Sequence, residues 1–349
     1  MTQTAVAASE VKPRRLPREI ALTLTGYTLL ALVLLWALFQ LITKPTEFAQ
    51  LFIAGLGNGA LFALIALGYT MVYGIIELIN FSHGDLFMLA TVLSGIVCVS
   101  WFSVDSFTLG AVGAVALALV LAMAAAAALN VAAERIAYRR LRRAPKLAPL
   151  ITAVGLSFAY QWFGQRQFMT GSTSKQWSTM FGSDGFNIGD IRVPYTTVIV
   201  IAVTIPLLLL MVYIVQRTRA GKAMRAVAQD QDAARLMGID VDRTIAFTFA
   251  MGGALAGAAG LLYLQSIGTS NYNLGFRLGL IAFVAAVLGG IGNLQGAVLG
   301  GFIIGILQGL NDGLGLGQQW SQTVVFALLI LLMVFKPEGI LGSPTTEKV

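Results

Sequence analysis

Apolar runs that match or approach the length of a bilayer crossing recur along this chain, at 20–42, 51–79, 86–104, 109–132, 147–163, 194–216, 244–265, 278–310 and 323–335. A helix needs roughly 20 apolar residues to cross the hydrocarbon core, and lipid offers its backbone no hydrogen-bond partners. The runs are therefore expected to be membrane helices that satisfy their own amide groups. The run 278–310 is too long for one crossing and is cut by Gly289-Gly290-Ile291-Gly292-Asn293, so it reads as an inward segment followed by an outward one. The expected fold is all-α: a polytopic membrane protein of about ten transmembrane or partly spanning helices, with a weak two-half repeat. The echo behind that repeat is short. Asn80 and Gly84 close the second segment, as Asn293 and Gly296 follow the late break.

Charge sets the orientation. Of 349 residues only 11% are charged, with a net charge of +7. The basic excess gathers at Lys12, Arg14, Arg15 and Arg18, in the stretch 134–146 and in 217–243. Basic loops stay in the cytosol. This places a cytosolic tail at 1–19, a single transmembrane domain at 20–336 with a cytosolic loop at 217–243, and a second cytosolic tail at 337–349. The run 20–42 exceeds the apolar core of a cleavable signal and reads as a retained first span. The stretch 165–193 becomes the largest external loop, where Trp162, Trp177 and Phe181 are expected as membrane-belt anchors.

The same composition excludes several chemistries. One cysteine, Cys98, and one histidine, His83, rule out an intrachain disulfide framework and a multi-histidine metal site. Ala220-Gly221-Lys222 lacks the upstream glycine and the following hydroxyl of a nucleotide-binding loop. Ser82 and His83 are neighbours, which point apart on a helix and cannot act as nucleophile and base. No basic patch with interleaved aromatics offers a nucleic-acid surface. No catalytic residue and no cofactor are assigned to the chain.

Two groups of residues remain. Tyr69, Tyr73 and Glu77 recur at i, i+4 and i+8, so one helix would stack them on a face, with Asn58 further along. His83 and Asp85, in the stretch that Asn80 opens, are expected to order the turn that follows at the inner face, and Gly290 and Asn293 belong to irregular backbone that must be covered by protein or line a path. Asn58, Tyr69, Tyr73, Glu77, Asn80, His83, Gly290 and Asn293 are thus the candidate pathway residues. The second group is the loop 217–243, with six basic and four acidic side chains. Its stretches 220–227 and 231–237 read as short helices, the second stopped by Gly238. Mixed charge around small residues suits docking into a groove on another protein.

At these residues the chain resembles a known family, the permease subunits of ATP-driven importers for branched-chain (hydrophobic) amino acids. The resemblance rests on ALIALGYTMVYG at 63–74, INFSHGD at 79–85, LAPLI at 147–151, AAVLGGIG at 285–292 and PEGILG at 337–342. It also rests on Asp232-Ala233-Ala234 with Gly238, similar to the family's E-A-A-x-x-x-G coupling loop, with Asp in place of Glu. The resemblance implies coupling residues Asp232, Ala233, Ala234, Arg235 and Gly238, and a bacterial inner-membrane location with both termini cytosolic. Its implied partners are a second homologous permease, two cytosolic nucleotide-binding subunits that carry ATP and magnesium, and an external substrate-binding protein. The family also carries urea, amides and other amino acids. A secondary transporter that needs no ATPase is the alternative from another class.

Overall fold

The computed structural model describes residues 17–77, 80–142, 144–145, 147–182 and 184–342. It contains two compact units, one ending at Thr43 and one beginning at Lys44. In the first, α1 (Pro17–Thr43) is a single apolar helix of 27 residues. Everything that follows concerns the second.

Its centre is α2 (Pro45–Ile76), buried along most of its length from Gly55 onward. Glycine explains how so long a helix can be surrounded. A Cβ at Gly55 would lie 2.8 Å from the Ile306 Cα, and one at Gly59 would lie 2.8 Å from the Phe302 Cα. Both contacts are with α12 (Leu294–Leu314), whose own Gly301, Gly305 and Gly309 face α2 in turn. Between helices in lipid no hydrophobic gain is available, so close backbone approach through small residues supplies the attraction.

The same device recurs between α4 (Leu109–Ala133) and α10 (Val241–Ile267). Ala114, Ala118, Ala122 and Ala126 form a buried stripe of every fourth residue, and Gly253 and Gly257 press on the Ala126 and Ala122 backbone. Asn130 ends the stripe by donating Nδ2 to the Phe249 carbonyl at 2.7 Å. Beyond it α4 passes through a π-helical stretch, Glu134–Tyr138, into the short α5 (Arg139–Leu141). Here two arginines of the basic patch are committed within the chain. Glu134 is fully buried and pairs with Arg139 at 3.2 Å and with Arg142, which reaches on to Asp242 at the start of α10, 2.5 Å away.

Helix α3 (Ser82–Gly95) continues as a π-helical stretch, Ile96–Trp101, and after α4 and α5 come α6 (Leu147–Gly164) and α7 (Tyr195–Arg217). Between these last two, β2 (Gly185–Ile188) and β3 (Ile191–Pro194) form an antiparallel hairpin, while β1 (Lys175–Gln176) pairs with β4 (Thr269–Ser270) after α10. These short strands are an addition to the all-helical expectation. Trp177 also departs from it: the indole is 7% exposed, packs on Gly95 and donates Nε1 to Ser270 Oγ at 2.7 Å, so it anchors the loop to the bundle rather than to a membrane belt. Trp162 is exposed, with the Arg166 guanidinium 3.7 Å above its ring. Phe181 stacks on Phe107.

The run 278–310 divides as expected, into α11 (Leu274–Gly289) and α12, and α13 (Ser321–Phe335) closes the bundle. The break between α11 and α12 is covered by the segment after α13. Ile340 and Leu341 donate their amides to the Leu288 and Gly289 carbonyls at 2.8 and 3.0 Å, capping the end of α11. Among the described residues seven helices are long and apolar enough to cross a membrane, and α11 is a shorter apolar one.

Candidate functional site

The polar residues that follow α2 are buried in the bundle: Asn80, Ser82, His83 and Asp85 are all 3% exposed or less. Helix α2 stops at Ile76 with Glu77 as a left-handed cap (φ 53°). His83 comes to rest against Gly68, which is eight residues, about 12 Å, before the end of α2. The imidazole fills the place of a side chain: a Cβ on Gly68 would lie 2.7 Å from His83 Cε1. Gly84 then allows α3 to cross α11 closely, since its Cβ would meet the Gly279 Cα at 2.8 Å.

This geometry overturns the stacking of Glu77 with the tyrosines. A left-handed residue leaves the helical register, so Glu77 turns away from the face of Tyr69 and Tyr73. It lines a separate pocket with Arg142 and Gln231. Asn58 is half-buried and 11 residues, about 16 Å, along α2 from Tyr69.

Tyr69, Tyr73 and Asn80 do come together. With Thr70 of α2, Phe283 and Ala286 of α11, and Ile291, they line a narrow cleft of about 10 Å3, room for a single water. Tyr69 sets its ring edge-to-face on His83 and Phe283. Ser82 Oγ and Tyr138 Oη both donate to Asn80 Oδ1, at 2.6 and 2.7 Å. With its acceptor oxygen taken twice, the carboxamide presents its NH2 group, and Nδ2 has no hydrogen-bond partner in the protein. Thr70 Oγ1 is equally without one. The two residues are 3% and 1% exposed. Buried polar atoms left unpaired cost stability, which marks the cleft as built for something other than packing.

Gly290 and Asn293 stand beside this cleft in structural roles. Gly290 has φ 106° and lies against Gly342, and a Cβ there would meet the Gly342 Cα at 2.7 Å. Asn293 caps α12 by accepting from the Gly296 amide at 3.0 Å and donates to the Leu341 carbonyl at 2.7 Å. Asp85, read from sequence only as part of the turn, is buried among helices. It accepts from Ser157 Oγ and, at 3.5 Å, from Gln161 Nε2, both on α6. An acid inside an apolar run was the signal that pointed to such a partner.

The central loop folds as its sequence indicates. Thr218 caps α8 (Arg219–Gln229), and Asp230 caps α9 (Gln231–Leu236) by accepting from the Asp232 and Ala233 amides at 2.8 and 2.9 Å. Gly238, at φ 82°, ends α9, and the Gly238 and Ile239 amides return to Arg235 and Ala234 carbonyls at 3.0 Å. Ala233 is exposed, whereas Ala234 is buried and holds the helix on its own chain. Arg235 pairs with Asp232 at 2.9 Å instead of standing free. The sequence reading missed the most prominent side chains: Leu236 and Met237 are 90% and 83% exposed. Their signal was two large apolar residues in an otherwise polar loop, directly before the stop glycine.

Residues 51–333 match the family model described as branched-chain amino acid transport system / permease component. The chain is 37% identical over 313 residues to the high-affinity branched-chain amino acid transport system permease protein BraD of Pseudomonas aeruginosa, covering 87% of this chain and 98% of that protein. It is 38% identical over 310 residues to the corresponding LivH protein of Escherichia coli K12, covering 86% and 98%. No solved structure matches. By its apolar helices, its polar cleft and this extended similarity, the chain belongs to the branched-chain amino acid transport permease family.

Proposed function

We propose that this chain is the membrane-spanning permease of an ATP-driven importer that carries branched-chain or other hydrophobic amino acids into the cytoplasm. Its partners in this reading are a second homologous permease, two cytosolic nucleotide-binding subunits that hold ATP and magnesium, and an external substrate-binding protein. The observation that carries the reading is the exposure of Leu236 and Met237 on a doubly capped helix in a charged loop. Large apolar side chains held rigidly in water are a liability unless a partner covers them. The ATPase subunits are that partner. Gln231, at the start of the same helix, shares a pocket with Glu77 and Arg142, so a push on α9 reaches the cytosolic ends of α2 and α4.

The cleft of Tyr69, Thr70, Tyr73 and Asn80 is the pathway in this reading. Once widened beyond its single-water volume, its apolar walls pass an aliphatic side chain, and its unpaired donors meet the polar backbone groups of the cargo. Reconstituted uptake of leucine tests the function. Transport that requires ATP, the nucleotide-binding subunits and the binding protein supports it; transport without ATP indicates a secondary transporter, and uptake of urea or amides alone a different cargo.

Both termini are placed in the cytosol of a bacterial inner membrane, with 165–193 outside. Arg140→Cys and Lys175→Cys in a Cys98→Ala background report this. An impermeant thiol reagent is expected to label only the second in intact cells, and labelling of both or of the first alone overturns the orientation.

A further inference from the structure

A second cavity, of about 210 Å3, lies between α11, α12 and the turn before α13. It has none of the cleft residues in its lining. Arg277, close to the start of α11, lines it, and among the described residues this arginine takes part in no ion pair. It is exposed in the first turn of its helix, so its guanidinium is open to a ligand in that cavity. Facing it, Gln308 of α12 has a buried Oε1 without a hydrogen-bond partner. Gln318 and Gln319 add further carboxamides. Ser321, in the same wall, donates its hydroxyl to Asp312 Oδ1, which sets a carboxylate behind that side. Leu278 and Ile281 supply an apolar floor.

A fork of guanidinium donors, an acceptor oxygen opposite, and an aliphatic floor within a volume of roughly seven waters at ~30 Å3 each describe the complement of one class of molecule. We propose that this cavity is a binding site for a small α-amino-acid zwitterion with an aliphatic side chain. Arg277 takes the carboxylate, Gln308 Oε1 accepts from the ammonium group, and Leu278 and Ile281 face the side chain. The identity of the natural ligand rests on the permease reading, while the carboxylate chemistry of the pocket stands apart from it. The site is separate from the Asn80 cleft, so the permease holds its cargo at two stations.

Saturation-transfer NMR on the permease purified with its partner subunits tests this with leucine, isovalerate and isoamylamine, which share one aliphatic frame. Leucine and isovalerate are expected to bind and isoamylamine to bind poorly. Arg277→Gln is expected to weaken both carboxylates about tenfold or more, with Arg277→Lys intermediate. Arg277 is exposed, so these variants leave the packed core in place. Gln308→Met is expected to weaken leucine and spare isovalerate. Unchanged isovalerate binding in Arg277→Gln overturns the proposal, as does equal binding of glycerophosphoethanolamine, which would assign the pocket to lipid. Leucine uptake by the wild type is scored separately. If uptake is absent but isovalerate binding depends on Arg277, the importer reading falls and the carboxylate site remains.

Discussion

Tyr138 Oη lies 2.7 Å from Asn80 Oδ1, and this contact joins the π-helical stretch after α4 to the buried polar residues before α3. With Ser82 Oγ on the same oxygen, it fixes which way the carboxamide faces. Removing one donor by Tyr138→Phe should lower stability by about 1 kcal/mol, as for a typical buried hydrogen bond. Denaturation of the purified permease measures it, and a loss near zero would mean that Ser82 alone orients the amide.

Thr70→Val separates packing from transport. The hydroxyl has no partner, so an apolar isostere should leave the melting temperature unchanged or raise it. Uptake should nevertheless fall several-fold if the cleft carries cargo. Normal uptake at unaltered expression would remove the cleft from the pathway.

Gly68→Ala forces a methyl group into the His83 imidazole, a contact that cannot relax without moving α3. Overpacking of this kind costs about 1 to 3 kcal/mol. His83→Ala in the same chain should restore most of the loss. A double variant no more stable than Gly68→Ala would show that the glycine is needed for α10, not for the histidine.

Leu236→Ser and Met237→Ser should leave stability within about 0.5 kcal/mol, because both side chains are exposed. Pull-down of the nucleotide-binding subunits should drop sharply for each if they seat on α9. Gly238→Val acts differently: nothing lies within 4 Å of the added Cβ, so the cost is the left-handed backbone alone, about 1 to 2 kcal/mol, spent on bending the end of α9. Gly238→Asn, which tolerates that conformation, should keep the association that Gly238→Val loses.

Glu134→Gln leaves Arg142 with only Asp242 and strands charge in a buried setting. A loss of about 3 kcal/mol is expected. Chemical denaturation of the single variant, compared with Asp242→Asn, shows which carboxylate matters more. The fully buried Glu134 should.

The sequence by itself determined the helices, their rough ends, and the local form of the central loop. Lipid leaves the backbone no alternative to a helix over an apolar run, and Asp230 and Gly238 encode the start and stop of α9 in their own side-chain chemistry. It also named Tyr69, Tyr73 and Asn80, since polar residues at helical spacing in an apolar segment stand out. Only tertiary structure decided the rest. Glu77 left its expected face because a single left-handed residue ends α2, and whether a residue adopts that conformation depends on where the chain must go next. His83 lies against α2 because Gly68 leaves space there, a complementarity between positions that touch in the bundle though separated along the sequence. Arg277 and Gln308 line one cavity because α11 and α12 pack antiparallel, and no spacing along the chain announces a pair brought together by how two helices cross. Exposure decided the same way between Ala233 and Ala234: adjacent residues point to different sides of a helix, and which side is covered is known only once the bundle is assembled.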